Sequence, residues 1–224
     1  MFWYSRRVGR VAFAFTDARV DLADLGVAGD VLRPLAADLG AAEVAWMSQV
    51  HGKAVATAEP GQVPQADALV VQRPGIAALV RVADCTPIVL ADVERGMGAV
   101  VHAGRVGMME GVVRASVDDL TARGAQHLHA WVGPRACGAC YEVPADMAAA
   151  AAAIEPAAAS TTSWGTPAID VGAAVVAQLT QAGVTVHDIG AAVCTIENSE
   201  FFSYRRQGAA AGRCGALVTV GQPL

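Results

Sequence analysis

The sequence has almost no lysine: Lys53 stands alone against fifteen arginines. Those arginines are scattered, and the net charge is −5, so there is no basic stripe to follow a nucleic-acid backbone. Long apolar runs are missing too. The composition is 54% hydrophobic with mean hydropathy +0.40, yet no stretch of about 18 strongly apolar residues offers a membrane span. The opening "MFWYSRRVGR" puts its aromatics ahead of its positive charges and leads into no apolar core with a cleavage site. It is not an export signal, and the expectation is a soluble, cytoplasmic protein. The five cysteines (85, 137, 140, 194 and 214) are odd in number. Without export, they read as reduced thiols rather than a disulfide framework.

What the chain has is alanine and valine, over a length that fits one large domain or two small ones. Valine-rich runs at 8–16, 43–52, 66–72, 77–84, 87–93, 98–104, 128–134, 188–195 and 214–220 read as strands. Residues 28–40 read as a helix with Asp30 as a possible cap, its body beginning near Pro34. "MAAAAAAIEP" (147–156) is helical by propensity. Residues 108–124 have helical apolar spacing up to Gly124, and 166–183 read as a helix with Thr166 at N-cap and Pro167 at N1. Strands interleaved with three or four helices make a mixed α/β architecture.

"ALVRVADCTPIVLAD" (78–92) sets an acid and a thiol, Asp84 and Cys85, between two apolar strands. His51, Cys85 and His102 all fall at or beside predicted strand ends, with His51 directly before Gly52 and His102 before Ala103-Gly104. Two imidazoles and a thiolate can form an open zinc site with a fourth position for water or substrate. The spacings, 34 and 17 residues, match no short zinc motif. "CGAC" (137–140) has no second CxxC to complete a metal site and reads as a tight turn. His127 and His129 alternate along a strand and read as a solvated face. "FFSYRR" (201–206) reads as a half-buried strand whose arginines suit phosphate or carboxylate.

"SQVHG" (48–52), "ADAL" (66–69), "VADCTPIVLAD" (82–92), "VVHAG" (100–104), "VGP" with "CYEV" (132–143) and "CT…FFSYRR…GR" (194–213) occur in the order found in the laccase-domain family. The chain resembles that family over roughly residues 43–220. Its members were first described as multicopper polyphenol oxidases and are better regarded as zinc-dependent purine nucleoside phosphorylases with adenosine deaminase side activity. The resemblance implies a layered mixed-sheet α/β sandwich with a cysteine-hydrolase-like fold, and a single domain over residues 1–224. It implies a metal site on His51, Cys85 and His102 and, as substrates, phosphate with adenosine, inosine, guanosine or methylthioadenosine. Arg205 or Arg206 would hold phosphate, and Asp84 would orient a ligand histidine.

The chain departs from that pattern at "HAGRVG" (102–107), where the family reads "HAGWRG", so that Arg105 and Val106 replace Trp and Arg. The family's Gly-Gly-Val-Ser loop is also missing, with Arg19 read as its remnant. Three alternative readings are compatible with the same residues. They are copper-based phenol oxidation, a cysteine hydrolase with Cys85 as nucleophile, and a non-catalytic relative.

Overall fold

Strands β1 (Phe2–Val8) and β2 (Val11–Thr16) pair antiparallel, and every residue of the second is buried. Val11, Phe13 and Phe15 belong to one apolar cluster, and Ala12 and Ala14 to another. A strand buried on both sides needs a layer against each face, which is why it reads as continuously apolar. The computed structural model describes residues 1–25 and 29–221, the side chains of 29 and 30 excepted.

The five-stranded sheet runs β1–β2–β13 (Cys214–Val220)–β6 (Ile76–Val82)–β3 (Glu43–Trp46). The six-stranded sheet runs β12 (Thr185–Asp188)–β9 (Leu128–Val132)–β7 (Thr86–Asp92)–β8 (Met97–Ala103)–β5 (Ala68–Val71)–β4 (Val55–Thr57). Both sheets mix parallel and antiparallel pairs. Their inner faces meet in one core, where Phe13 packs on Trp131 at a ring-centroid distance of 4.3 Å. Full burial of a side chain such as Phe13 contributes about 1.5–3 kcal/mol.

Helix α1 (Gly29–Asp38) covers the outer face of the smaller sheet through Leu32, Leu35 and Ala36. Helices α2 (Arg105–Glu110), α3 (Val112–Ala122), α4 (Ala145–Ile154) and α5 (Val171–Gln181) cover the outer face of the larger one. The result is a mixed α/β sandwich of four layers. No helix among the described residues is long and apolar enough to cross a membrane.

Several elements differ from the sequence expectation. The helix expected over 108–124 is two helices broken at Gly111, whose φ of +92° ends one and caps the next. The helix expected from Thr166 begins four residues later, because Pro167–Ile169 forms strand β11 in a hairpin with β10 (Ala159–Thr161). Asp170 caps it instead, its Oδ1 accepting the Ala173 N–H at 2.8 Å. Pro34 lies inside α1 rather than opening it. The cap expected of Asp30 lies outside the described residues. "FFSYRR" is no strand: Ser203 caps a short helix α6 (Tyr204–Gln207). His129 does not simply face solvent but stacks on His187 at 5.6 Å, and Trp131 stacks on the same ring.

Candidate active site

The chain passes from the five-stranded to the six-stranded sheet in the segments between β3 and β4 and between β6 and β7. Each passage carries a candidate ligand, His51 on the first and Cys85 on the second. The backbone bends sharply at both. Among the described residues, two non-glycine positions have positive φ, His51 at 61° and Asp84 at 82°. Such conformations cost on the order of 1–3 kcal/mol each and persist where surrounding bonds enforce them.

The enforcing group at His51 is Asp67, fully buried just before β5. Its carboxylate accepts the backbone N–H groups of Val50 (3.3 Å), His51 (3.0 Å) and Gly52 (2.7 Å). The same carboxylate meets His102 Nδ1 at 2.8 Å. Burial alone would raise the pKa of Asp67. Hydrogen bonds from His102, Gly52 and His51 outweigh it and hold the carboxyl below its ordinary value. An ionised Asp67 can only accept, so His102 carries a proton on Nδ1 and is left with Nε2 for the site.

His102 stands near the end of β8, two residues before Gly104. Its ring lies 4.7 Å from that of His51 at 76°, and His51 Nε2 is 3.9 Å from Cys85 Sγ. One ligand atom from each of His51, Cys85 and His102 falls within 4.8 Å of the others. Gly104 makes this approach possible, because a Cβ there would lie 2.9 Å from His51 Cδ2 and 3.1 Å from Cys85 Sγ. Burial opposes charge on the Cys85 thiol. Hydrogen bonding to His102 and His51, and their charge, bring its pKa down to about 6. Burial likewise opposes the His102 cation, but Asp67 and Cys85 raise its pKa to about 9. Two nitrogens and an ionisable thiol, with one histidine held by a buried carboxylate, are a donor set suited to a divalent metal.

The cluster opens on a cavity of about 700 Å³, of the size that takes a small-molecule ligand. Arg81, Arg105, Arg205 and Arg213 line it, with Gln49, Tyr141 and Tyr204. The Arg205 guanidinium lies over the Tyr141 ring at 4.6 Å. Arg105, where the chain departs from the family pattern, therefore adds positive charge beside the candidate ligands. Gln49 pairs with the backbone of Arg81 in both directions, at 2.7 and 2.9 Å, and so ties the first sheet crossing to the end of β6.

Two expected roles are corrected. Asp84 lines the cavity, but its carboxylate orients no histidine. Oδ1 accepts from Thr195 Oγ1 at 2.6 Å and Oδ2 from the Arg205 N–H at 2.7 Å. The carboxylate that orients a candidate ligand is Asp67, inside the quoted "ADAL". Arg206 is not among the residues lining the cavity. Its guanidinium donates to the carbonyls of Thr195, Ile196, Asn198 and Phe201, so its charge is spent on holding a loop. Arg19 pairs with Asp17 at 2.6 Å and likewise lines no part of the cavity. Arg81 and Arg213 were not singled out, although Arg81 lies within the quoted "ALVRVADCTPIVLAD" and Arg213 closes the quoted "CT…FFSYRR…GR".

A family model described as multi-copper polyphenol oxidoreductase laccase matches residues 28–221. A purine nucleoside phosphorylase of Streptomyces coelicolor is 48% identical over 172 residues, covering 74% of this chain and 70% of that protein. One from Streptomyces griseus is 46% identical over 175 residues, covering 75% and 71%. Among solved structures, a Neisseria meningitidis protein aligns with a TM-score of 0.84 at 26% identity, over 99% of both chains. A Geobacillus stearothermophilus protein aligns with a TM-score of 0.79 at 23% identity, again over 99% of both, and shares the fold.

Proposed function

This chain belongs to the multi-copper polyphenol oxidoreductase laccase family, and we propose that within it the chain is a purine nucleoside phosphorylase working at a zinc held by His51, Cys85 and His102. The observation that carries this reading is the convergence of those three side chains on an arginine-lined cavity. The phosphorylase relatives in two Streptomyces species support it. In the reaction, a phosphate oxygen attacks C1′ of the nucleoside. The glycosidic bond breaks, and the purine leaves with the electron pair and takes up a proton, giving base and ribose 1-phosphate.

Zinc, when bound, supplies a Lewis acid and a bound water of near-neutral pKa, which also suits deamination of adenosine. The protein's own groups do the rest. Arg205 binds phosphate in this reading, supported by its stacking over Tyr141 and by the anchoring of its N–H on Asp84 at the cavity. Arg81, Arg105 and Arg213 make the cavity favourable to an anion. Asp67 keeps the His102 proton on Nδ1, so that Nε2 stays available as a ligand. In the same reading the protein is cytoplasmic, residues 1–224 act as one domain, and the layering is of the cysteine-hydrolase-like kind.

Copper oxidation fits less well. A multicopper oxidase needs a blue-copper ligand set and a histidine-rich cluster. The chain has five histidines, and His129 and His187 are stacked on each other rather than lining the cavity. One observation favours a second reading: Cys85, His102 and Asp67 form a thiol–imidazole–carboxylate series suited to a nucleophile. Phosphate-dependent release of base from a purine nucleoside panel by zinc-loaded protein, lost in Cys85→Ala, is the expected result for the phosphorylase. No release from any purine nucleoside overturns it. Alkylation of Cys85 that excess zinc fails to block would favour the nucleophile.

A further inference from the structure

We propose that Cys137, Cys140, Cys194 and Glu197 form a second, closed zinc site that fastens the wall of the cavity. One ligand atom from each lies within 4.8 Å of the others. Zinc–sulfur bonds of about 2.3 Å set tetrahedral ligand atoms about 3.8 Å apart, so small side-chain movements close the set on an ion. Three thiolates and a carboxylate fill four positions and leave none for substrate, the mark of a structural site.

The local backbone is shaped for this. Cys137 and Cys140 are three apart on a turn in which the N–H groups of Cys140 and Tyr141 both donate to the Cys137 carbonyl, at 3.1 and 3.0 Å. Gly138 allows the turn to press on its neighbours, since a Cβ there would sit 2.5 Å from Ser160 Oγ. The third thiol comes from a distant segment. Cys194 Sγ accepts the Cys137 N–H at 3.4 Å, and Thr195 N–H donates to the Arg135 carbonyl at 3.0 Å. "CGAC" lacked a second CxxC in the sequence; the fold supplies Cys194 and Glu197 instead. A disulfide between any two of the thiols would leave the third and the carboxylate unexplained.

The two segments joined here each reach the cavity. Tyr141, next to Cys140, lies under Arg205. Thr195, next to Cys194, donates its hydroxyl to Asp84. The ion would thus fix the residues that hold Arg205 and the bend before Cys85. The site stands on its own residues and does not depend on the proposed activity.

Metal analysis of zinc-reconstituted, dialysed protein tests it. The wild type is expected to hold two zinc ions per chain and Cys85→Ala one. Cobalt-loaded Cys85→Ala should show strong thiolate-to-cobalt absorption that weakens in a Cys85→Ala/Cys194→Ser double variant. Glu197 is exposed, so Glu197→Ala should fold normally and lose second-site affinity by at least about tenfold against a chelator. The proposal is overturned if Cys85→Ala takes up no metal from excess zinc. It is also overturned if unreduced, denatured protein titrates two thiols short of five, which would reveal a disulfide. Failure of the phosphorylase assay alone would leave the one zinc of Cys85→Ala in place.

Discussion

Replacing Asp67 by Asn removes one oxygen from a buried carboxylate that serves four partners. Oδ1 takes the His51 N–H and faces His102 Nδ1, while Oδ2 takes the Gly52 and Val50 N–H groups. An asparagine keeps one acceptor and must point its NH₂ at one of these pairs. If the NH₂ stands in place of Oδ2, the Gly52 and Val50 N–H groups both lose their acceptor, and the shorter Gly52 bond sets the scale at about 1–3 kcal/mol. Losing the charge on the remaining bonds adds about 1 kcal/mol, for about 2–4 kcal/mol in all. If it stands in place of Oδ1, His102 must accept at Nδ1 and carry its proton on Nε2, the nitrogen needed for a metal. Removing a carboxylate that supports a ligand typically costs about 10–100-fold in metal affinity. Urea unfolding of metal-free protein reads the first effect, and zinc competition against a chelator reads the second. The pH dependence has a definite sign. The folded-state pKa of Asp67 is lowered, so its contribution is complete above the ordinary carboxylate pKa of 3.8 and is lost as acid passes below that value. The stability gap between wild type and Asp67→Asn should therefore narrow in acid. An Asn variant that unfolds within about 0.5 kcal/mol of wild type and binds zinc equally well would refute this account of the site.

Other outcomes follow from the same geometry. In metal-free protein, iodoacetamide should alkylate Cys85 with an apparent pKa near 6 rather than 9.0, and zinc should suppress the reaction; a normal thiol profile would show that the imidazoles do not stabilise the thiolate. The His102 cation is stabilised by folding and its pKa is raised to about 9, so its contribution is complete below the ordinary 6.5 and is lost as pH climbs through about 9. Metal-free protein should accordingly lose stability across that alkaline window, read by thermal melts. Gly104→Ala should weaken zinc binding, read by competition against a chelator, since its Cβ would lie 2.9 Å from His51 Cδ2 and 3.1 Å from Cys85 Sγ and force the candidate ligands apart. Arg205→Ala and Arg206→Ala should separate cleanly. The first raises KM for phosphate with stability within about 0.5 kcal/mol. The second destabilises by about 1–3 kcal/mol through its lost carbonyl partners.

The candidate trio was legible because Cys85 and His102 fall at strand ends and His51 lies beside a glycine in the loop after β3, within motifs quoted from the sequence. Its supporting groups were less so. Asp67 looks like any acid before a strand; its role depends on a loop sixteen residues earlier folding back onto it. Arg205 and Arg206 are neighbours of like chemistry, and helix α6 sends them to different tasks. The layer order was hidden because β2, β6, β7 and β8 are buried on both faces, which erases the alternation that marks a half-exposed strand. Gly111 passed for a helix interior because the apolar spacing continues across it. The hairpin at 159–169 took Pro167 away from α5, because pairing with β10 outweighed the cap signal.

The sheet crossings at His51 and Cys85 also have a mechanical consequence. His102 belongs to the six-stranded sheet, while the other two side chains ride on the seams between sheets. An ion bound by all three is a rivet through the open end of the sandwich. Native-state binding stabilises by RT ln(1 + [L]/Kd), about 2.7 kcal/mol at a hundredfold excess over Kd. That stabilisation would fall where the two sheets part, so hydrogen exchange around residues 48–52 and 83–86 should slow when zinc is added to the wild type and not when it is added to Cys85→Ala.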